Sequence, residues 1–111
     1  MGCIAVVTTT ASLEEARAIG RALVERGLAA CVNISEIESF YVWEEAVQNE
    51  KEYRLVIKTT EERYRDVESA IKDMHSYTLP AIYAFDLKYV YEPYVEWIRS
   101  NSKAETVPGQ F

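Results

Sequence analysis

The stretch from Gly27 to Thr60 constrains the fold of this 111-residue chain more than any other. It holds one β-rich run over 30–43 and a second over 51–58, with a short polar segment between them. Strands usually have about 3–10 residues. A first run that extends from Ala30 to Trp43 therefore predicts a ribbon too long for a small domain to cover. An apolar ribbon of this kind has an edge that must be covered or paired. The sequence therefore predicts association between copies of the chain.

The connection between these two β-rich runs has two alternative conformations. Glu44-Glu45 lacks the Asn-Gly or Asp-Gly pair that is typical of a tight two-residue hairpin. A longer or bulged loop that extends through Asn49 is equally compatible with the pattern.

Composition narrows the class of protein. The length indicates a single domain over residues 1–111, with a polar tail over 100–111. A formal charge of -6 argues against nucleic-acid binding, which depends on basic residues neutralising phosphates.

No apolar run approaches the ~20 residues of a membrane span, and the first residues lack the basic region of a signal peptide. Cys3 and Cys31 lie in apolar runs and are expected to be buried reduced thiols. We expect a cytoplasmic protein that does not bind membranes.

The remaining elements follow from periodicity and end signals. Residues 4–8 predict a buried strand. Ser12 and Glu15 predict a capping box that opens a helix, with Leu13, Ala16, Gly20, Leu23 and Val24 on one face and Gly27 at its end. Thr59 and Glu62 predict a second capped helix that stops near His75. Residues 81–90 predict another strand, and Glu92-Pro93 a short final helix anchored by Tyr94, Val95, Trp97 and Ile98.

The resulting order is β-α-β-β-α-β with an added C-terminal helix. It predicts an α+β, ferredoxin-like antiparallel sheet with a long β2-β3 ribbon and both main helices on one face. The other face then lacks helices of its own and needs cover. A closed homotrimer would supply it, since head-to-tail interfaces can close into rings.

Four blocks of residues occur in order with short spacers: 27–34 (GLAACVNI), 39–44 (SFYVWE), 52–59 (EYRLVIKT) and 75–80 (HSYTLP). In these blocks the chain resembles the CutA divalent-cation tolerance family over roughly residues 3 to 99. The resemblance implies a ferredoxin-like fold, a homotrimer, a cytoplasmic setting, and a role in tolerance of divalent metals, copper in particular. It also implies kinship of architecture with the trimeric PII signalling proteins.

The resemblance also suggests a metal site. Some members bring a Cys at the end of the first strand together with a His-His pair. Here those positions are Thr8 and Met74-His75, so His75 keeps the chemistry of the pair. Thr8 is a poor copper ligand, whereas the Met74 sulfur suits Cu(I). Glu52 is the further candidate, because carboxylate oxygens bind hard cations. His75 has a structural alternative, since histidines at helix C-termini often satisfy carbonyls.

The aromatic side chains and a basic residue suggest a second site. Tyr and Trp are frequent in interfaces because each buries a large area and keeps a polar group. Most are expected to pack in the core or between subunits, with Trp43, Lys58, Tyr77 and Pro80 near an inter-subunit cleft. Lys58 is also a candidate partner for Glu52 or for an anion.

These observations give one main functional hypothesis and two alternatives. The main one is a homotrimer that responds to divalent metal ions through weak metal binding and catalyses no reaction. The first alternative is a PII-like regulator that binds a small anionic ligand or a partner protein in the inter-subunit cleft. The second is a hydrolase or isomerase that uses His75 as its base. No Ser-His-Asp set, P-loop or dinucleotide glycine pattern is present to indicate an enzyme, and 53–58 lacks the RNP1 pattern of RNA-recognition domains.

Overall fold

Residues 2–103 are described by a computed structural model, which shows a four-stranded antiparallel sheet with three α-helices. The strands are joined in the spatial order β2-β3-β1-β4, so that β2 and β4 are the two edges. The elements in chain order are β1 (Cys3–Thr10), α1 (Leu13–Glu25), β2 (Cys31–Trp43), β3 (Ala46–Thr60), a single 3₁₀ turn (Glu61–Arg63), α2 (Tyr64–Met74), β4 (Ile82–Asp86) and α3 (Glu92–Asn101).

Register divides the sheet into two faces, because successive side chains point to opposite sides of a strand. Val6 pairs with Ile57 on one side and with Ala84 on the other. Val6 and Ile57 are fully buried in the core that α1 and α2 form on their face of the sheet. The fully buried side chains that complete this core are Ile19, Leu23, Leu55, Val67 and Ile71. The prediction that apolar helical stripes pack on one sheet face is confirmed for these helices.

Helix α1 follows the prediction at both ends, with one change at its start. Ser12 Oγ accepts the Glu15 N–H at 3.1 Å, which is half of the predicted capping box. The Glu15 carboxylate does not return to Ser12 and instead binds Ser76. Gly27, with φ of 70°, lets the Leu28 N–H reach the Leu23 carbonyl at 2.9 Å, which closes the helix. Val24, which was predicted on the buried face, is 43% exposed. Ile19, which was not predicted there, is fully buried.

Helix α2 begins later than the capping pattern predicts, and the prediction that Thr59 caps it is wrong. Thr59 and Thr60 are the last residues of β3, and the Thr59 hydroxyl donates to the Leu28 carbonyl at 2.7 Å. The 3₁₀ turn intervenes before Tyr64 starts the helix. The other end agrees with the prediction, because His75 follows the last helical residue in an extended conformation.

Helix α3 covers part of the sheet face that the sequence left without helices. Ile98 is fully buried and packs with Cys3 and Ala30 on that face. Trp97, predicted as an anchor, is 44% exposed. The helix continues to Asn101, and Ser102 is 1% exposed, so the first residues of the predicted polar tail belong to the folded chain. Val107 and Phe111, further along that tail, lie outside the described residues.

Strand β4 is shorter than the predicted 81–90, because it ends at Asp86. It pairs with β1 from Ile82↔Thr8 to Asp86↔Ile4. Tyr83 and Phe85 are 48% and 56% exposed on the face opposite α1 and α2. Beyond α3, this face therefore carries exposed aromatic rings.

The β2–β3 ribbon is a single hairpin with a two-residue turn, which decides between the two alternatives left by the sequence. Trp43 pairs with Ala46, and the turn residues Glu44 and Glu45 have φ of 49° and 66°. Two positive φ angles characterise the type I′ turn, which glycine and asparagine usually supply. Here two glutamates adopt the left-handed conformation.

The ribbon has two parts. In its base (31–36 and 53–60), β3 also pairs with β1, and this pairing ends at Thr10↔Tyr53. In its free arm (37–52), β2 and β3 pair only with each other, from Ile37↔Glu52 to Trp43↔Ala46. At about 3.4 Å per residue, the arm extends about 20 Å past the end of β1.

Two further features are the apolarity of the helices and the state of the two cysteines. None of the helices between residues 2 and 103 has the length and apolarity needed to cross a membrane. Cys3 is buried and Cys31 half-buried, and both are free thiols. Burial raises the pKa of the Cys3 thiol, against a smaller opposing effect from Arg99.

Candidate functional site

A cavity of about 360 Å³ lies where the free arm meets the loop between α2 and β4. The arm contributes one wall and the loop contributes the other, with Thr9 at the end of β1 between them. Its lining consists of Thr9, Tyr41, Trp43, Glu52, Ala81 and the loop residues 76–79. The register of the hairpin puts Tyr41, Trp43 and Glu52 on one face of the arm.

Glu52 is the buried acidic group of this cavity, with 7% of its surface exposed. The Tyr77 hydroxyl donates to Glu52 Oε2 at 2.7 Å and so joins the loop to the arm. Burial raises the pKa of Tyr77, and the hydrogen bond to Glu52 adds to the effect. Tyr77 therefore remains a protonated donor across the physiological range.

Tyr41 and Trp43 form the part of the wall nearest the tip. The Tyr41 hydroxyl donates to the Glu50 carboxylate across the two strands of the arm. This hydrogen bond raises the pKa of Tyr41 to about 12. Trp43 is 46% exposed, so its indole offers apolar surface to the cavity and to the solvent.

His75 fixes the loop that carries Tyr77. Its ring lies between two backbone groups: Nε2 is 2.8 Å from the Thr9 carbonyl, and the Tyr77 N–H donates to Nδ1 at 3.1 Å. Because Nδ1 accepts, the proton of the neutral ring is on Nε2, which donates to Thr9. The side chain is fully buried, so this histidine positions the loop beside the end of β1.

Glu15 holds the same loop from α1. Its carboxylate accepts the Ser76 N–H at 2.7 Å and the Ser76 hydroxyl at 2.9 Å. Glu15 Oε2 also lies 3.5 Å from His75 Nδ1. A carboxylate that accepts several hydrogen bonds fixes a turn well, so the loop is anchored on α1 and β1 before it reaches Glu52.

The three residues predicted as metal ligands have different surroundings. Both ring nitrogens of His75 already have hydrogen-bonding partners, and Met74 packs against the main core. Glu52 is the member of the set that lines the cavity. Thr8, the first-strand position, is fully buried and its Oγ1 has no hydrogen-bonding partner. Within residues 2–103 there is no cluster of three or more His, Cys, Asp or Glu side chains that could hold a metal ion. The metal-site assignment stays a prediction.

The four residues predicted near a cleft are brought together only in part. Trp43 and Tyr77 line the same cavity, and Pro80 lies in the loop between two lining residues, Leu79 and Ala81. Lys58 is six positions from Glu52 along β3, about 20 Å away. Its ammonium donates to Asn33 Oδ1 at 2.8 Å and lies 6.0 Å from the Tyr94 ring centroid. Pairing between Lys58 and Glu52, considered from the sequence, does not occur.

Sequence reasoning missed Tyr41, Thr9 and Leu79 as cavity residues. The sequence could have predicted Tyr41, because residues two apart in a strand share a face and Trp43 was already a candidate. The contribution of Leu79 depends on the path of an irregular loop, and that path is set by the contacts of His75 and Glu15. Residue types alone do not specify such a path.

Comparison with known proteins assigns a family. The family described as CutA1 divalent ion tolerance protein matches residues 4–101. The divalent-cation tolerance protein CutA of Archaeoglobus fulgidus is 40% identical over 93 residues, which are 84% of this chain and 91% of that protein.

Solved structures agree in fold. The crystal structure of CutA1 from Oryza sativa has a TM-score of 0.90 at 32% identity and covers 95% of this chain and 97% of that one. The structure of the periplasmic divalent cation tolerance protein CutA from Archaeoglobus fulgidus has a TM-score of 0.88 at 37% identity, covering 90% and 98%. Both likenesses extend over nearly the whole chain.

Proposed function

The chain belongs to the CutA1 divalent ion tolerance family, and from this premise we propose that it acts in the response to divalent metal ions as a homotrimer. The observation that carries the proposal is the family match over residues 4–101, together with the agreement in fold. The family is named for tolerance and not for a catalysed reaction. The proposed role is accordingly binding without catalysis.

The proposed assembly is supported by the surfaces that one chain leaves open. Phe40, Val42 and Val47 on the free arm are 69%, 70% and 74% exposed. Tyr83 and Phe85 add exposed rings on the uncovered sheet face. Exposed apolar side chains grouped in this way are typical of protein interfaces. We propose a ferredoxin-like subunit, in keeping with the β2-β3-β1-β4 order, in which three copies cover one another's arms.

Sedimentation velocity at micromolar concentration tests the assembly. The expected result is one species with three times the mass of the chain. A folded single-chain species would overturn the proposed trimer.

The proposed metal binding is weak, and Glu52 is the leading donor. Carboxylate oxygens suit divalent cations, and Glu52 reaches the cavity. His75 and Met74 would join only if the loop opened, because the His75 nitrogens would have to leave Thr9 and Tyr77. Copper is the proposed metal for that opened form, since imidazole and thioether ligands suit it.

Calorimetric titration of Cu²⁺ into four proteins separates these donors. They are wild type, Glu52→Gln, His75→Gln and, as a control of equal charge change on the exposed part of the arm, Glu38→Gln. We expect Glu52→Gln to weaken binding and Glu38→Gln to leave it unchanged. Unchanged binding in His75→Gln would remove His75 as a ligand, and no binding to the wild-type trimer would overturn direct metal binding.

A second candidate function is small-ligand binding in the manner of PII proteins, and the cavity is the observation that favours it. Its volume of about 360 Å³ falls in the range of about 300–1,000 Å³ that is usual for ligand sites. Aromatic rings and one buried carboxylate line it. Thermal shift against a small-molecule panel tests this function, since a ligand of the folded state raises the melting temperature. No shift across the panel would count against it.

We also propose a cytoplasmic location, supported by the two free thiols, which are typical of reducing compartments. A structural relative is described as periplasmic, so the location needs its own measurement. Fractionation of the native host tests it, and recovery outside the cytoplasm would overturn it.

A further inference from the structure

We propose that the cavity between the free arm and the 75–81 loop binds an organic ammonium ion, a ligand with a positively charged nitrogen beside Glu52 and an apolar body against the aromatic rings. The proposal rests on the second candidate function, ligand binding in this cavity. It specifies the chemistry of that ligand and reverses the anionic class expected from the sequence.

The sign of the charge in the cavity favours a cation. Among residues 2–103, the cavity lining contains the Glu52 carboxylate and no lysine, arginine or histidine. Lys58, which favoured an anion, is bound to Asn33 at the other end of β3. His75 is not one of the lining residues, and both its ring nitrogens are hydrogen-bonded to backbone groups. An anion in the cavity would face a buried negative charge that no basic side chain of the described lining offsets, whereas a cation would gain from that charge.

The aromatic rings of the cavity also favour a cation. Tyr41, Trp43 and Tyr77 all line the cavity. The faces of aromatic rings attract cations, most strongly for tryptophan, and proteins use such rings to recognise ammonium groups. Leu79 adds apolar surface suited to the body of an organic molecule and not to a hydrated ion.

The number of ligand atoms in the cavity distinguishes an ammonium group from a bare metal ion. Calcium takes six to eight oxygen ligands and zinc about four ligands in all. The cavity supplies one carboxylate, and residues 2–103 contain no three-membered cluster of His, Cys, Asp or Glu suited to a metal. An ammonium group needs only one counter-charge, and the rings can replace part of its hydration. One carboxylate among aromatic rings therefore suits an organic cation better than a tightly held metal.

The test uses three probes of nearly the same shape on the full-length protein in metal-free buffer: 2-phenylethylamine, which is cationic near neutral pH, the neutral 2-phenylethanol, and the anion phenylacetate. Binding is measured by calorimetry and by Trp43 fluorescence in a Trp97→Phe background, which removes the other tryptophan. We expect the amine to bind at least about tenfold more tightly than phenylacetate, as hydrogen bonds to charged groups typically contribute. Equal binding of amine and anion, tighter binding of the anion, or no binding of the amine up to millimolar concentration would overturn the proposal.

Two variants, which should change the affinity for the amine in opposite directions, test whether Glu52 supplies the charge that the amine binds. Glu52→Gln keeps an acceptor for Tyr77 and should weaken amine binding about tenfold, whereas Glu38→Gln, with the same change in net charge, should not. Arg54, two positions from Glu52 on the same face and outside the lining, is exposed. Arg54→Gln should tighten amine binding by about threefold at a separation of about 7 Å. If Glu52→Gln fails to fold, the Arg54→Gln result and the wild-type probe series still decide, and an Arg54→Gln protein that binds the amine less tightly contradicts the proposal.

Failure of this inference can be told apart from failure of the proposed function. Sedimentation and Cu²⁺ titration are run on the same preparations. A trimer that binds copper and ignores the amine overturns only the ammonium site. Amine binding by a chain that is not a trimer supports the site and overturns the proposed assembly.

Discussion

The base and the free arm of the ribbon are built from the same two strands and the same continuous ladder, yet they differ in what covers them. In the base, Leu55 and Ile57 are fully buried under α1 and α2. In the arm, Val42 and Val47 face each other across the strands at 70% and 74% exposure. Isolated hairpins are marginal in water. The comparison indicates that the base is stabilised by its own chain and the arm by something outside it.

The largest expected effect is on the arm in its assembled form. If Trp43 packs between copies, Trp43→Ala should lower the free energy of unfolding of the trimer by about 3–5 kcal/mol, as for truncation of a large core side chain. Trp97→Ala is a matched control, because Trp97 is 44% exposed against 46% for Trp43 and stacks on Tyr94 of its own chain. The control should cost less than Trp43→Ala, because it loses its ring pair with Tyr94, worth about 0.5–1.5 kcal/mol, and its partial burial in one chain, but no contact with a partner copy.

Urea unfolding at several protein concentrations measures both variants. The loss for Trp43→Ala should be accompanied by weaker assembly at low concentration. Equal small losses in the two variants would show that the arm gains nothing from a partner and would remove the contrast with the base.

The next effect concerns the base. Leu55→Ala removes a fully buried side chain and should lower the free energy of unfolding by about 2–5 kcal/mol at any protein concentration. Val47→Ala, on the same strand, should change the stability of a single chain by no more than about 0.5 kcal/mol, as for surface substitutions. Chemical denaturation of both variants tests the contrast, and a Leu55→Ala loss as small as that of Val47→Ala would contradict the assigned core.

The sequence predicted the base far better than the arm, and the reason is physical. Buried stripes such as Val67 and Ile71 follow helical periodicity, which local sequence encodes directly. The glutamate turn was left undecided because the conformation of Glu44 and Glu45 is imposed by the flanking strands. The cap at Thr59 was misplaced because its hydroxyl finds the Leu28 carbonyl, a partner 31 residues away along the chain. The cavity needed the hairpin register and the loop path together, so the sequence predicted Trp43 and Tyr77 at a cleft between subunits and Glu52 at a metal site, and did not predict that all three line one cavity.

A smaller effect, of opposite sign, is expected at the tip of the arm. Left-handed conformations cost residues other than glycine roughly 1–2 kcal/mol each, and Asn-Gly favours the type I′ turn. The double change Glu44→Asn with Glu45→Gly should therefore raise the free energy of unfolding by about 1 kcal/mol.

The control for the turn is Glu44→Gln with Glu45→Gln, which removes the same two charges and keeps the unfavourable φ angles. Thermal and urea unfolding compare the two double variants. The gain is measurable only if the tip unfolds together with the base. No gain over the control would show that the arm opens separately and would make the difference between the two regions sharper still.

The smallest effect is expected at the joint between arm and body, where Tyr77 donates to Glu52. Burial and this hydrogen bond raise the pKa of Tyr77 above its usual value, which is about 10 in the unfolded chain. The folded protein then holds the Tyr77 proton more strongly than the unfolded chain, so this stabilisation is complete below about pH 10 and falls as the pH rises further.

Tyr77→Phe should lower the free energy of unfolding slightly at neutral pH and flatten its decline at alkaline pH. Melting temperatures between about pH 8 and 11 test this. Tyr41→Phe is the comparison: the pKa of Tyr41 is also raised, to about 12, so this change should flatten the decline too, but it leaves the link between arm and body intact because Tyr41 bonds Glu50 within the arm. A Tyr77→Phe protein that loses stability with pH as steeply as wild type would show that the joint contributes nothing, and that the arm is held only by neighbouring copies.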